Sequence, residues 1–170
     1  MKKLANFIPA YNDFPKKGIS FKDVLEIVQE PEIFRELILK MSSNKIIKNS
    51  EAIVSIDARG FIFGSAIALH SSKPMIFARK PGKLPGEVIK QTYELEYGEN
   101  TISIQKKALS KYKSFSIVDD LIATGGTAKS VANILRNEGK IITGLLTVVE
   151  LEEFALSRNL DFPMDSIIKL

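Results

Sequence analysis

The sequence reads as an α/β protein: a doubly wound, mostly parallel sheet flanked by helices and carrying a flexible hairpin lid. Three observations predict this. Apolar runs at 52–56, 75–78, 115–118 and 141–149 have the length of buried strands, and helical periodicity or apolar helix-length stretches separate several of them. The order strand, helix, strand across 52–78 is a βαβ unit, which demands parallel strands and a right-handed crossover. Residues 80–104 break that rhythm with turn residues and then strict alternation, the pattern of a hairpin inserted between α/β units. A length of 170 residues suits one domain, and 45% hydrophobic against 26% charged residues is enough apolar side chain to bury a core.

Each element has its own signal. Some 30 residues precede the first predicted helix. Pro31 stands at a first helical position, and Phe34, Leu37, Ile38 and Met41 then recur at i, i+3, i+4 and i+7, predicting an amphipathic helix that ends near Asn44. Strand 52–56 stops at Asp57-Ala58-Arg59-Gly60, and helix 61–72 follows, with His70 near its C-terminal end, where positive charge is favourable. After strand 75–78, the segment Lys80-Pro81-Gly82-Lys83-Leu84-Pro85-Gly86 is rich in turn residues. Tyr93, Leu95 and Tyr97 then alternate with Glu94 and Glu96, a turn is expected at Gly98-Glu99-Asn100, and Ile102-Ser103-Ile104 returns. Strand 115–118 ends at Asp119-Asp120, helix 127–138 is closed by Gly139, strand 141–149 follows, and 152–170 reads as a short helix and a terminal strand.

Composition removes whole classes of chemistry. With no cysteine there are no disulfide staples, thiol nucleophiles or thiolate metal sites, and a histidine triad or relay would rest on His70 alone. No apolar run reaches the roughly 20 residues that span a bilayer, and Asn6, Tyr11, Asn12 and Asp13 break the stretch a secretory signal would need, so a cytoplasmic protein with no membrane partner is expected. The net charge of +4 is modest and spread along the chain. Arginine is more informative: only five interrupt a strong lysine preference, at positions that could exploit a rigid guanidinium fork.

The most informative segment is Phe115-Ser116-Ile117-Val118-Asp119-Asp120-Leu121-Ile122-Ala123-Thr124-Gly125-Gly126-Thr127. A buried strand delivers two carboxylates to its carboxyl end, the side on which open α/β sheets bind ligands. The glycines admit an anion close to the backbone, the helix N-terminus attracts it, and Thr124 and Thr127 add hydroxyls. The carboxylates would repel that anion, so they must address sugar hydroxyls, a metal or both. A ribose 5-phosphate meets all these demands. Neither a Walker loop nor a dinucleotide fingerprint is present.

The segment resembles the strand, acidic pair and T-G-G-T loop with which type I phosphoribosyltransferases grip phosphoribosyl pyrophosphate. Three more segments are similar to those of the members acting on adenine: Phe14-Pro15-Lys16-Lys17-Gly18-Ile19-Ser20-Phe21-Lys22-Asp23, Asp57-Ala58-Arg59-Gly60-Phe61-Ile62-Phe63-Gly64, and Arg79-Lys80-Pro81-Gly82-Lys83-Leu84-Pro85-Gly86 through Leu95-Glu96-Tyr97-Gly98. The resemblance covers about residues 14–150. It implies one domain over 1–170, with a base-binding segment in 1–30 and a flexible catalytic loop in 79–104.

What the resemblance implies is transfer of the phosphoribosyl group to adenine, giving AMP and pyrophosphate. Arg59, with Arg79, Lys80 and Lys83 at the loop entry, would meet charge on the leaving pyrophosphate. The ribose and its 5-phosphate would be held by Asp119, Asp120, Ala123, Thr124, Gly125, Gly126 and Thr127. A cis peptide is implied at Asp57-Ala58. Adenine would stack on Phe21, contact backbone at Ser20 and Lys22, and be closed over by Leu121. Lys22 stands where arginine is common, and Ser20 where an apolar residue is. Glu96 is the implied general acid or base, with Tyr97 and Tyr93 excluding water. Mg2+ would be held mainly by the substrate's pyrophosphate and water, with Asp119 and Asp120 as its candidate protein contacts. A homodimer is implied, with no nucleic-acid partner. Two rivals are transfer to hypoxanthine, guanine or xanthine, and a non-catalytic nucleic-acid-binding regulator that senses phosphoribosyl pyrophosphate. The second would normally carry an added DNA-binding module, for which the first 30 residues are too few.

Overall fold

The computed structural model describes residues 4–95 and 98–170, with backbone alone at 93–95 and 98–99. Glu96 and Tyr97, and the side chain of Tyr93, therefore lie outside the described residues. Strands β1 (Ala10–Asn12) and β2 (Ser20–Lys22) pair antiparallel, placing Tyr11 opposite Phe21. Pro31 opens helix α1 (Pro31–Ser43), which buries Leu37, Ile38 and Met41 as its periodicity predicts. Asn44 ends α1, and its side chain accepts from the Ile46 N–H at 2.9 Å to cap α2 (Lys45–Lys48), a short turn that no periodicity announces.

Strand β3 (Ala52–Ile56), helix α3 (Gly60–Ser71) and strand β4 (Met75–Arg79) form the expected βαβ unit, with His70 exposed in the last turn of α3. Strands β5 (Val88–Leu95) and β6 (Gly98–Gln105) make the hairpin. Its register pairs Leu95 with Gly98, Glu94 with Glu99 and Tyr93 with Asn100, so Gly98-Glu99-Asn100 belongs to β6 and is not the turn. After the one-turn helix α4 (Lys106–Leu109) come β7 (Ser114–Ile122), α5 (Gly126–Asn137), β8 (Ile141–Glu150), a 3-10 helix at Glu152–Ser157 and β9 (Met164–Lys169). Strand β7 runs four residues beyond Val118, because Asp119, Leu121 and Ile122 continue the ladder with β8. Asp119 and Asp120 are thus strand residues whose carboxylates meet at one cavity.

The seven-stranded sheet has the order β5-β6-β4-β3-β7-β8-β9; β4, β3, β7, β8 and β9 are parallel and the β5–β6 hairpin is antiparallel at one edge. Alternation sends neighbouring residues to different cores. Ile53, Val118 and Leu146 pack with α1 and α3 on one face, whereas Val54, Ile117 and Leu145 pack with Val131 and Leu135 of α5 on the other. Among the described residues no helix is long and apolar enough to cross a membrane.

Candidate active site

Strands β3 and β7 are neighbours whose crossovers diverge: the chain leaves β3 through α3 toward β4, and leaves β7 through α5 toward β8 on the opposite side. The diverging loops open a crevice beyond the carboxyl ends of the two strands, the place where such sheets bind ligands. Arg59, Lys80, Asp119, Asp120 and the 121–127 loop line cavities there.

The loop after β3 holds the implied cis peptide between Asp57 and Ala58. Asp57 Oδ2 takes the Arg79 Nε at 3.0 Å, and Arg79 also donates to the Lys83 carbonyl at 3.3 Å and lies over the Phe61 ring. Arg79 therefore ties the loop entry to the β3 loop. Arg59 approaches Asp120 Oδ2 at 2.8 Å while its guanidinium carbon stands 5.4 Å from the centre of the Phe21 ring. This contact is an ion pair and not an in-line hydrogen bond, so Asp120 Oδ2 retains an unmet acceptor. Phe21 is half-buried and belongs to neither core; Arg59 covers it, and Phe14 meets it edge-on at 5.2 Å. Its neighbours Ser20 and Lys22 are joined by a 3.4 Å contact between Lys22 Nζ and Ser20 Oγ.

Asp119 lies at the centre. Its Oδ1 accepts from the Asp120 N–H at 2.9 Å, and helix α3 begins directly against it. A Cβ on Gly60 would stand 2.8 Å from Asp119 Oδ1 and 3.2 Å from its Cα, so only glycine lets α3 start this close. Burial, reinforced by the charge of Asp120, holds the Asp119 carboxyl well above the usual carboxylate range. Burial also raises Asp120, against the pull of Arg59 and hydrogen bonds from neighbouring groups. Two buried carboxylates packed together favour a group that donates hydrogen bonds or carries positive charge.

Beyond them, Leu121, Ala123, Thr124, Gly125, Gly126 and Thr127 line a cavity of about 200 Å³ that Asp119 also enters. Gly125 caps α5 with φ +83°, where a side chain would be strained and no capping oxygen competes with an incoming anion. A neighbouring cavity of about 270 Å³ brings Arg59 and Lys80 to Asp119, Asp120 and Leu121. Lys83 lines neither cavity, and its carbonyl accepts from Arg79. Among the described residues no three acidic or histidine groups cluster as a metal site.

One residue escaped the sequence reading, and a second was read there only as one of five arginines in a lysine-rich chain. Thr147 lies opposite Asp119 in the β7–β8 register and lines the 200 Å³ cavity, and its buried hydroxyl has no hydrogen-bond partner among the described residues. Arg158 reaches the loop from behind. A threonine inside the apolar run Leu145–Val149 was the available signal for the first, and the second was marked by its residue type but by no motif that names its partner.

The phosphoribosyl transferase domain model matches residues 22–158. The chain belongs to this family. This phosphoribosyl transferase domain is 64% identical over 170 residues, the whole of both chains, to an adenine phosphoribosyltransferase of Prochlorococcus marinus strain AS9601. The crystal structure of adenine phosphoribosyltransferase from Thermoanaerobacter pseudethanolicus superposes with a TM-score of 0.90 at 34% identity, covering 99% of each chain. That of Saccharomyces cerevisiae, complexed with an imino-altritol bisphosphate and adenine, gives 0.85 at 33% identity, covering 98% of this chain and 97% of the other. The type I phosphoribosyltransferase fold expected from the motifs is the fold observed.

Proposed function

We propose that this protein transfers the 5-phosphoribosyl group of phosphoribosyl pyrophosphate to adenine, releasing AMP and pyrophosphate, as a cytoplasmic homodimer in purine salvage. The observation that carries the reading is the meeting of the Asp57–Arg59 loop and the Asp119–Thr127 segment at one switch point, in a chain matched end to end by an adenine phosphoribosyltransferase.

The residues divide the work by charge. The 5-phosphate lies on the Thr124–Thr127 loop at the start of α5, and the ribose hydroxyls donate to Asp119 and Asp120. When those hydroxyls arrive, the buried carboxylates gain the donors they lack. Arg59 turns from Asp120 toward the pyrophosphate, joined by Arg79 and Lys80, with Lys83 carried in on the loop. Adenine stacks on Phe21 in place of the guanidinium, with Leu121 on its other side and the backbone of Ser20 and Lys22 reading its edge. The carbon–oxygen bond to pyrophosphate breaks and the oxygen keeps the electron pair. A ring nitrogen of adenine bonds to the same carbon and loses its proton, the role assigned to Glu96 with Tyr97 excluding water.

An all-oxygen donor set of two carboxylates beside a phosphate-binding loop suits Mg2+, which dehydrates reluctantly and is usually held through substrate phosphates. Asp119 and Asp120 would hold it with the pyrophosphate, and it would supply charge neutralisation on the leaving group. Calorimetry tests the site. The protein should bind phosphoribosyl pyrophosphate with magnesium, the Asp119→Asn, Asp120→Asn double variant should not, and Glu96→Ala should bind but turn over more slowly. A parent protein that fails to bind the ligand would overturn the reading.

A further inference from the structure

We infer that Arg158 is a positioning residue for phosphoribosyl pyrophosphate, acting through the peptide between Ala123 and Thr124. The inference rests on the proposed function, because it assigns a task within that same site. Arg158 leaves the chain just after the 3-10 helix, 35 residues from Ala123, yet its side chain is only 5% exposed and its three nitrogens have separate partners. Nε donates to the Ala123 carbonyl, one terminal nitrogen to Glu150 Oε1 and the other to the Leu151 carbonyl.

The bond to Ala123 determines where the next donor points. A trans peptide is planar, so a carbonyl and the N–H of the following residue aim in opposite directions. Drawing the Ala123 carbonyl toward Arg158 turns the Thr124 N–H away from it, out of the protein side of the loop. That peptide lies between the carboxylate-bearing strand and the glycines that begin α5, so its orientation aligns the loop that is to receive the 5-phosphate.

Arg158 does this by shape, not by charge. Glu150 neutralises it at contact distance and is itself held by Ser166 Oγ at 3.0 Å and Lys169 Nζ at 3.6 Å. Burial works to raise the Glu150 carboxyl, but hydrogen bonds from Arg158 and Ser166 and nearby positive charge outweigh it and hold the group below its ordinary range. An ammonium carries the same charge as a guanidinium yet lacks the planar fork needed to reach all three acceptors. The same stretch of chain braces the loop a second way: Leu160 lies where a Cβ on Gly125 would touch it at 3.3 Å. A third anchor, the 2.8 Å bridge from Arg136 to Asp161, is exposed and sits at the far end of α5.

Steady-state kinetics and thermal unfolding of Arg158→Lys, Arg158→Ala and Asp161→Asn test the assignment. Losing one charged hydrogen bond to the loop corresponds to about a tenfold change in affinity. Arg158→Lys should raise KM for phosphoribosyl pyrophosphate about that much, with adenine KM at saturating co-substrate and Tm close to the parent. Arg158→Ala should raise it further, and Asp161→Asn should leave it unchanged. A parent-like KM in folded Arg158→Lys overturns the proposal, as does an equal rise in Asp161→Asn, which would mean that any loosening of this segment suffices. Titration with ribose 5-phosphate runs alongside. It reads the Arg158 effect even if the parent proves inactive on adenine, so failure of the functional reading and failure of this inference are separable.

Discussion

Asp119 and Asp120 put a function and a cost on the same atoms. Because burial raises the Asp119 carboxyl above its unfolded value of about 4, the ionised form is disfavoured in the free fold; that penalty is absent below the unfolded value and grows as pH rises through the folded one. Asp119→Asn should therefore raise the Tm of the ligand-free protein at neutral pH and flatten its pH dependence, as scanning calorimetry across pH would register. The same substitution should weaken phosphoribosyl pyrophosphate by about tenfold to a hundredfold, since a charged hydrogen bond is worth about 1.5–3 kcal/mol. In the parent, ligand affinity should fall as pH drops through the raised value, because protonated carboxyls accept hydroxyl donors poorly; titration at several pH values checks the direction. These two residues were legible as the end of an apolar strand followed by glycines. Arg59 was legible as a loop arginine, but its resting partner was not: the Asp120 ion pair joins positions 61 residues apart that no local pattern links. Arg158 was legible as one of five fork-suited arginines, but its partners were not, because it lies in a stretch without motif or periodicity.

At the level of elements, helix α3 and strand β7 touch at Gly60 and Asp119, so the space available to one carboxylate depends on one missing methyl group. Gly60→Ala should destabilise the fold by about 1–3 kcal/mol, as overpacking of a tight contact does, and should also raise KM for phosphoribosyl pyrophosphate by displacing Asp119. Denaturant unfolding read beside kinetics would detect both; an unchanged KM in a destabilised variant would separate packing from the site. The long elements were readable because burial imposes a period. Helix α1 and strand β3 match the apolar pattern nearly residue for residue. The β1–β2 pair, α2 and the 3-10 turns of the first 30 residues were not, since three to six residues carry too little periodicity, although the short helix at Glu152–Ser157 was anticipated. Strand β7 read short because its last residues include two aspartates, whose presence reports a binding site and not the end of a ladder. In the hairpin, Gly98 resembles a turn residue, but pairing with Leu95 makes it part of β6.

Across the whole molecule, the parallel strands and the two cores place β3 and β7 side by side with their exits diverging, and the ligand chemistry follows from that one topological fact. The fold class was legible from the apolar runs and the order of elements, whereas the proposed base choice turns on the Phe21 segment, which lies outside the main sheet with Arg59 beside it. Phe21→Ala should raise the KM for adenine far more than that for phosphoribosyl pyrophosphate, which initial-rate measurements with each substrate varied would reveal. The most direct test of the account is kcat/KM for adenine, guanine, hypoxanthine and xanthine with phosphoribosyl pyrophosphate at fixed magnesium. The account predicts strong preference for adenine, with AMP and pyrophosphate formed in equal amounts; preference for another base, or no turnover with any, would contradict it.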